Sequence, residues 1–247
     1  AIIPARGGSK RIPRKNIRDF RGKLSTIAII PARGGSKRIP RKNIRDFRGK
    51  PIIAYSIEAA LDANCFDAVL VSTDDEEIAS IGKRYGASVP FLRSDENSND
   101  QAGLTEVALE VLERYERDIC AVEKFCLILP TAPFVTGTRI LEGFRALEES
   151  GMDAAVPVVR FSYPPQRGFS IDAAGRARML YPQYYNSRSQ DLEPIFHDCG
   201  QFYWIKKVAL LKERRFFPES TFAIELMESE VQDIDTDEDW LMAELKF

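Results

Sequence analysis

From residue 27 onward the chain alternates short apolar runs with amphipathic stretches. Residues 27–31 are a continuous apolar run ending in Pro31, the pattern of a buried strand. Residues 51–63 have helical apolar spacing, with Pro51 expected in the first turn. The same reading gives a strand at 68–73, a helix at 75–86, a strand at 88–92 and a helix at 105–117. A strand at 124–130, a helix at 138–150 closed by Gly151 and a strand at 153–159 follow. Strands alternating with helices predict an α/β protein, its sheet mostly parallel and covered by helices on both faces.

The rhythm breaks at about 160–198, a stretch rich in Pro, Tyr, Ser, Gln and Arg with weak periodicity. It is expected to leave the main domain as a protruding arm. Residues 200–207 return as a strand, with Tyr203 and Trp204 as core positions. Residues 236–247 close the chain as a helix, with Thr236 and Asp239 spaced as a capping box. No linker divides the chain, so 24–247 is expected to form one domain carrying the arm.

The first 23 residues repeat without change at 28–50. Each copy holds only a strand and a loop, unlike the complete unit of a solenoid repeat. The second copy runs directly into the helix at 51–63, whereas the first runs into a second copy of itself. The second is therefore expected to be the working one. Residues 1–23 are expected to be a duplicated segment, disordered or artefactual.

Charge sharpens the picture. The chain has a formal net charge of −2, and residues 1–23 carry +7, which leaves −9 for the rest. An acidic body with no interleaved aromatic run speaks against nucleic-acid binding. No apolar run is long enough to span a membrane, and no apolar region follows the basic start as in a secretory signal. Cys65, Cys120, Cys126 and Cys199 fit no zinc spacing and read as reduced thiols of a cytoplasmic protein.

Three stretches carry candidate chemistry. In "IAIIPARGGSKRIPRKN" (27–43) a strand opens into a loop with Gly34 and Gly35, surrounded by Arg33, Lys37, Arg38, Arg41 and Lys42. Glycines let backbone N–H groups approach an anion, and loops at the carboxyl ends of parallel strands are where open α/β sheets bind ligands. The loop suits a polyphosphate or, more plainly, is a solvated basic loop; it matches neither the Walker A nor the dinucleotide fingerprint. In "QDIDTDEDW" (232–240), Asp233 and Asp235 share one face if extended, which suits Mg²⁺; the acidity also suits a helix start. In "RSQDLEP" (188–194), Arg188 can grip a carboxylate and Gln190 can bond hydroxyls.

Together with "STDDEEIA" and "PTAPF", these stretches resemble the cytidylyltransferases that activate nonulosonic acids, the CMP-sialic acid synthetases and their relatives. The resemblance spans 27–247. It implies a Rossmann-like nucleotidyltransferase fold, Mg²⁺, CTP as donor, a nonulosonic acid as acceptor, pyrophosphate as co-product and a homodimer joined through the arm. By position, Arg33, Lys37 and Lys42 would hold the phosphates, with Gly34, Gly35 and Ser36 in the same loop. Asn43 would support the α-phosphate, so that Arg33, Lys42 and Asn43 form the catalytic set. "LRSDENSNDQA" (92–102) resembles a cytosine-reading loop and points to Arg93, Asp100 and Ala102. Asp233 and Asp235 match the metal-binding aspartates, Arg188 the residue near the sugar carboxylate, and Asp74 an acidic turn of undetermined role. The sugar side departs from the sialate pattern at Leu129, Val135 and Gln166. Those departures favour a more apolar sugar, which pseudaminic acid fits. N-acetylneuraminate, legionaminate and 3-deoxy-manno-octulosonate remain alternatives, as does a non-catalytic nucleotide-binding module. His197 is a candidate base or a structural residue.

Overall fold

The computed structural model of the chain describes residues 24–99 and 102–247. Its elements run β1 (Ser25–Pro31), β2 (Asp46–Phe47), β3 (Lys50–Pro51), α1 (Ile53–Asp62), β4 (Ala68–Ser72), α2 (Glu76–Arg84), α3 (Leu104–Asp118) and β5 (Val122–Ile128). They continue with α4 (Gly137–Ser150), β6 (Ala154–Arg160), β7 (Phe169–Ile171), β8 (Ala177–Met179), β9 (Phe196–Asp198), β10 (Phe202–Lys206), α5 (Lys207–Glu213), β11 (Thr221–Leu226) and α6 (Asp237–Lys246). The duplicated residues 1–23 and candidate residue Asp100 lie outside the described residues.

The main sheet has seven strands in the order β11-β6-β10-β5-β1-β4, with β9 pairing off β6. β1 lies parallel to β4 on one side and β5 on the other, and β11 lies parallel to β6. β10 enters antiparallel between β5 and β6. A β1 strand buried on both faces needs an unbroken apolar run, and "IAIIP" supplies it. Ala28 and Ile30 face α1, α2 and α4, whereas Ile27 and Ile29 face α3 and α5. Trp204 on β10 is fully buried and donates its indole N–H to the Ile140 carbonyl of α4 at 2.9 Å.

Local signals set the helix ends. Asp75 caps α2 by accepting from the Glu77 and Ile78 N–H groups, and Thr136 caps α4 by accepting from Arg139 N–H. α4 stops at Gly151, whose φ of 69° lies in the left-handed region. The Thr236/Asp239 capping box forms as spaced.

Two expectations need correction. Residues 88–92 do not form a strand; only a bridge between Ser88 and Leu70 forms. Pro90 has no N–H to continue a ladder, and the chain turns so that Arg93 N–H reaches the Thr73 carbonyl at 2.8 Å. Pro51 sits in β3 instead of the first turn of α1, because Ile52 N–H closes a turn onto the Arg45 carbonyl at 3.1 Å and delays the helix to Ile53.

A small core beside the sheet gathers Ile39, Phe47, Ile52, Ile234, Trp240 and Ala243. The Phe47 ring meets those of Tyr55, Trp240 and Phe247 edge-on at 5.6, 5.5 and 5.4 Å. These contacts lock the segment after β1 against the C-terminal helix. They thereby bring the candidate phosphate loop to the 233–235 stretch.

Candidate active site

The site forms at the carboxyl ends of β1 and β4 and on the segment leading into α6. After β1 the chain is held by its neighbours: Ala32 N–H donates to the Ser72 carbonyl at 2.9 Å, and Gly34 N–H to Asp74 Oδ1 at 3.0 Å. Asn43 is buried and donates from Nδ2 to the Arg33 carbonyl at 2.9 Å, closing the loop across its neck. Arg33 and Ser36 are half-buried; Gly35 and Lys37 are exposed.

Cations of this loop meet the carboxylates before α6. Lys42 Nζ donates to the Ile234 carbonyl at 2.5 Å and lies 3.4 Å from Asp235 Oδ1. Arg38 Nη1 lies 2.9 Å from Asp235 Oδ2. The Asp233 carboxyl sits against Gly200, where an added Cβ would stand 3.4 Å from its Oδ1 and 3.6 Å from Leu129 Cδ1. Dehydration first, and the negative Asp235 second, raise the Asp233 carboxyl above the usual range, while Lys42 opposes them. Two hard carboxylates that feel each other's charge, with lysine alongside, gain from a divalent cation, so the donor set fits Mg²⁺ held by one or two carboxylates. Among the described residues no cluster of three or more His, Cys, Asp or Glu side chains is arranged to hold a metal.

Arg93 is buried at the end of β4. It donates from Nε to Ser72 Oγ at 3.1 Å and from Nη2 to the Ser72 carbonyl at 2.5 Å, and burial lowers its pKa. Glu110 of α3 shapes the adjoining loop by accepting from Ser94 N–H at 2.9 Å and from Asn97 Nδ2 at 2.7 Å. Ala102 N–H donates to Asn99 Oδ1 at 3.0 Å.

The structure thus brings Arg33, Gly34, Lys42, Asn43, Arg93, Asp233 and Asp235 to one end of the sheet. The candidate side chains of the arm bond within the arm, which joins the main sheet through the backbone of β9. Gln166 is buried and donates from Nε2 to the Glu193 carbonyl at 2.8 Å, and its Oε1 has no hydrogen-bond partner among the described residues. Arg188 pairs with Asp191 at 3.1 Å, and Gln190 is exposed. His197 is exposed on β9, its Nδ1 2.8 Å from the Asp198 carbonyl oxygen and its ring 4.6 Å from that of Phe161. Sequence reasoning left Asp74 without a role and passed over Asp75 altogether. The consecutive aspartates directly after a strand were the available signal.

A glycine-bearing, cation-lined loop at the strand ends of an α/β sheet, facing a carboxylate pair, has the chemistry that a nucleotidyltransferase needs for nucleotide phosphates. The sequence family described as cytidylyltransferase matches residues 1–24 and 27–201. Over 246 residues the chain is 38% identical to a pseudaminic acid cytidylyltransferase of Campylobacter jejuni, covering 100% of this chain and 94% of that protein. It is 34% identical over 251 residues to a CMP-N,N'-diacetyllegionaminic acid synthase of Legionella pneumophila, covering 99% and 94%. A solved CMP:2-keto-3-deoxy-manno-octonic acid synthetase complexed with CTP superposes with a TM-score of 0.65 at 19% identity, covering 90% of this chain and 97% of that one. That last likeness concerns the fold, which is the Rossmann-like nucleotidyltransferase fold expected from the sequence. The chain belongs to the cytidylyltransferase family. Among the described residues no helix is long and apolar enough to cross a membrane.

Proposed function

We propose that the protein transfers CMP from CTP to the anomeric hydroxyl of a nonulosonic acid, pseudaminic acid, with release of pyrophosphate. The observation that carries this reading is the convergence of Lys42 and Arg38 on Asp235 beside Asp233. Phosphate-binding cations and metal-binding carboxylates then face each other across one site. Arg33, Lys37 and Lys42 bind the triphosphate, together with the backbone of Gly34, Gly35 and Ser36. Asn43 fixes the loop neck and supports the α-phosphate. Arg93 and the backbone near Asp100 and Ala102 read the base. Asp233 and Asp235 would hold Mg²⁺, which supplies neutralisation of phosphate charge when bound. The hydroxyl attacks the α-phosphorus in line, and the fixed cations stabilise the charge that builds on the phosphoryl oxygens.

On the sugar side, Gln166, Arg188 and Gln190 contact the acceptor, with Arg188 on its carboxylate. Leu129, packed with Asp233 against Gly200, gives the site an apolar wall that suits a deoxy sugar. The exposed apolar residues of the arm support a homodimer, in which the arm reaches the partner subunit. The test is pyrophosphate release with CTP, Mg²⁺ and a panel of nonulosonic acids. Pseudaminic acid is expected to turn over fastest. Faster turnover of a legionaminate or of N-acetylneuraminate reassigns the acceptor, and turnover of none refutes the reading.

A further inference from the structure

Arg41 and Lys42 are neighbours in the phosphate loop, yet they point to different places. Lys42 reaches the Ile234 carbonyl and Asp235. Arg41 turns away to α2, where Nη1 lies 2.5 Å from Asp75 Oδ2, Nη2 3.2 Å from Asp75 Oδ1 and 2.5 Å from Glu77 Oε2. The divergence follows from the backbone: Arg41 has φ 55° and ψ 28°, a left-handed conformation that a non-glycine residue adopts only when its surroundings hold it there. Its carbonyl accepts from Ile44 and Arg45 N–H, each at 3.0 Å, and so starts the turn that carries Lys42 and Asn43.

Asp75 is a rigid post for this contact. Its Oδ1 already accepts from the Glu77 and Ile78 N–H groups at 2.9 Å each as the cap of α2. The same carboxylate rests on the other half of the loop: a Cβ added at Gly34 would stand 2.7 Å from Asp75 Oδ2. Arg41 holds the Asp75 carboxyl below its usual range, and Asp75 in turn raises the guanidinium.

We propose that Arg41 and Asp75 form a positioning clamp that fixes the loop so that Lys42 and Asn43 face the nucleotide phosphates, and that Arg41 is not itself a phosphate ligand. The proposal rests on the reading of this loop as the CTP phosphate site. A bidentate arginine–carboxylate pair is directional as well as strong, which is what holding a left-handed turn requires. Asp75 therefore acts on the reaction through Arg41, without touching substrate.

The test measures CTP binding calorimetrically, and KM values for both substrates, on the full chain and its Asp75→Asn, Arg41→Lys and double variants. Asparagine is as good a helix cap as aspartate, so Asp75→Asn keeps the cap while losing the charged fork. Each single variant is expected to weaken CTP binding about tenfold, and the double variant no further, because the two residues act as one unit. KM for the sugar acid and the melting temperature stay near those of the parent. The clamp is overturned if Arg41→Lys weakens binding while Asp75→Asn leaves it unchanged or tightens it, since that pattern belongs to a direct phosphate ligand. Additive losses overturn it as well. Lys42→Ala separates the two levels: if that variant binds CTP like the parent, the phosphate-loop reading itself falls, and the clamp with it.

Discussion

The loop after β1 and the arm after β6 both carry candidate binding residues, but the bonds that hold them differ in reach. In the loop, Gly34 is tied to a residue 40 positions away, Arg41 to one 34 away and Lys42 to one 192 away. In the arm, Arg176 pairs with a residue four positions off, Arg188 with one three positions off, and Gln166 with one 27 positions off. The loop lies on a packed core, whereas the arm presents Tyr163 at 87%, Ile171 at 74% and Tyr185 at 71% exposure. Bonds between distant segments fix a geometry inside one chain. Local bonds shape a segment without fixing where it sits, and apolar residues left in water call for a partner surface. The nucleotide side should therefore be complete in a single chain, while the sugar side should depend on what covers the arm.

The sharpest way to break this comparison is to remove a bond between distant segments on the nucleotide side. Lys42→Ala should lower kcat/KM roughly a hundredfold, as loss of one preorganised charge donor does elsewhere. Steady-state pyrophosphate release read beside thermal unfolding checks it. An unchanged melting temperature with that loss places Lys42 in binding and chemistry, and retained activity would take the loop out of the site.

Next in size is an effect on the frame beneath the site. Gly143 of α4 lies under β10, the strand by which the arm returns to the sheet. A Cβ there would stand 2.7 Å from Trp204 Cδ1 and 2.8 Å from Phe202 Cε2. Trp204 cannot easily yield, because its indole is bonded to Ile140 and stacked on Phe66 at 5.0 Å. Gly143→Ala should lower unfolding free energy by about 1–2 kcal/mol, the overpacking cost outweighing the better helix propensity of alanine. Urea denaturation measures it; a stabilised variant would mean that the β10–α4 seam is looser than its contacts imply.

The arm should answer differently. Replacing Phe169 and Ile171 of its hairpin with serine should leave the unfolding free energy within about 0.5 kcal/mol, as for surface positions. Light scattering should show a shift from dimer to monomer, with calorimetric CTP affinity held within about twofold, since nothing on the nucleotide side is touched. A large loss of CTP affinity would show that the arm also completes the nucleotide side.

This division matches what could be read from the residues. The helices from α1 to α4 and α6, and the strands β1, β4, β5, β6 and β10, were legible because their apolar periods are long, and Gly151 and the Thr236/Asp239 pair marked two helix ends; the Asp75 and Thr136 caps emerged only in the structure. The antiparallel entry of β10 was not, because period-two burial carries no direction. The 88–92 run failed because an apolar composition survives Pro90 while a hydrogen-bonded ladder does not. β11 and α5 escaped notice altogether; β11 mixes exposed Phe222 with a buried Leu226. In the site, Lys42, Asp233 and Asp235 stood out as dense charge in short motifs. The bracing by Asp74 and Asp75 did not, since it depends on which loop the fold sets beside the β4–α2 turn.

The smallest expected effect concerns His197, the lone histidine and so the tempting base. It lies on β9, which pairs with the end of β6 at the base of the arm, and Val159 stands opposite it in the register. Its Nδ1 is engaged 2.8 Å from the neighbouring Asp198 carbonyl oxygen, and its ring packs on Phe161, so both contacts of its side chain are to residues of the arm. A base for in-line attack must come within about 3 Å of the attacking hydroxyl, and every residue that the fold gathers for the phosphates lies on other elements. His197→Gln keeps a polar group of similar reach at that position. It should leave kcat within about twofold, as for a residue outside the reacting shell. The decisive reading is the pH profile of kcat. An imidazole base imposes an acid limb in the range where imidazoles titrate, and its removal abolishes that limb. The parent and variant profiles are expected to superpose. A limb that disappears with His197 would move the proton-accepting group into the arm, and the separation between a self-contained nucleotide side and a partner-dependent sugar side would then fail at the chemical step.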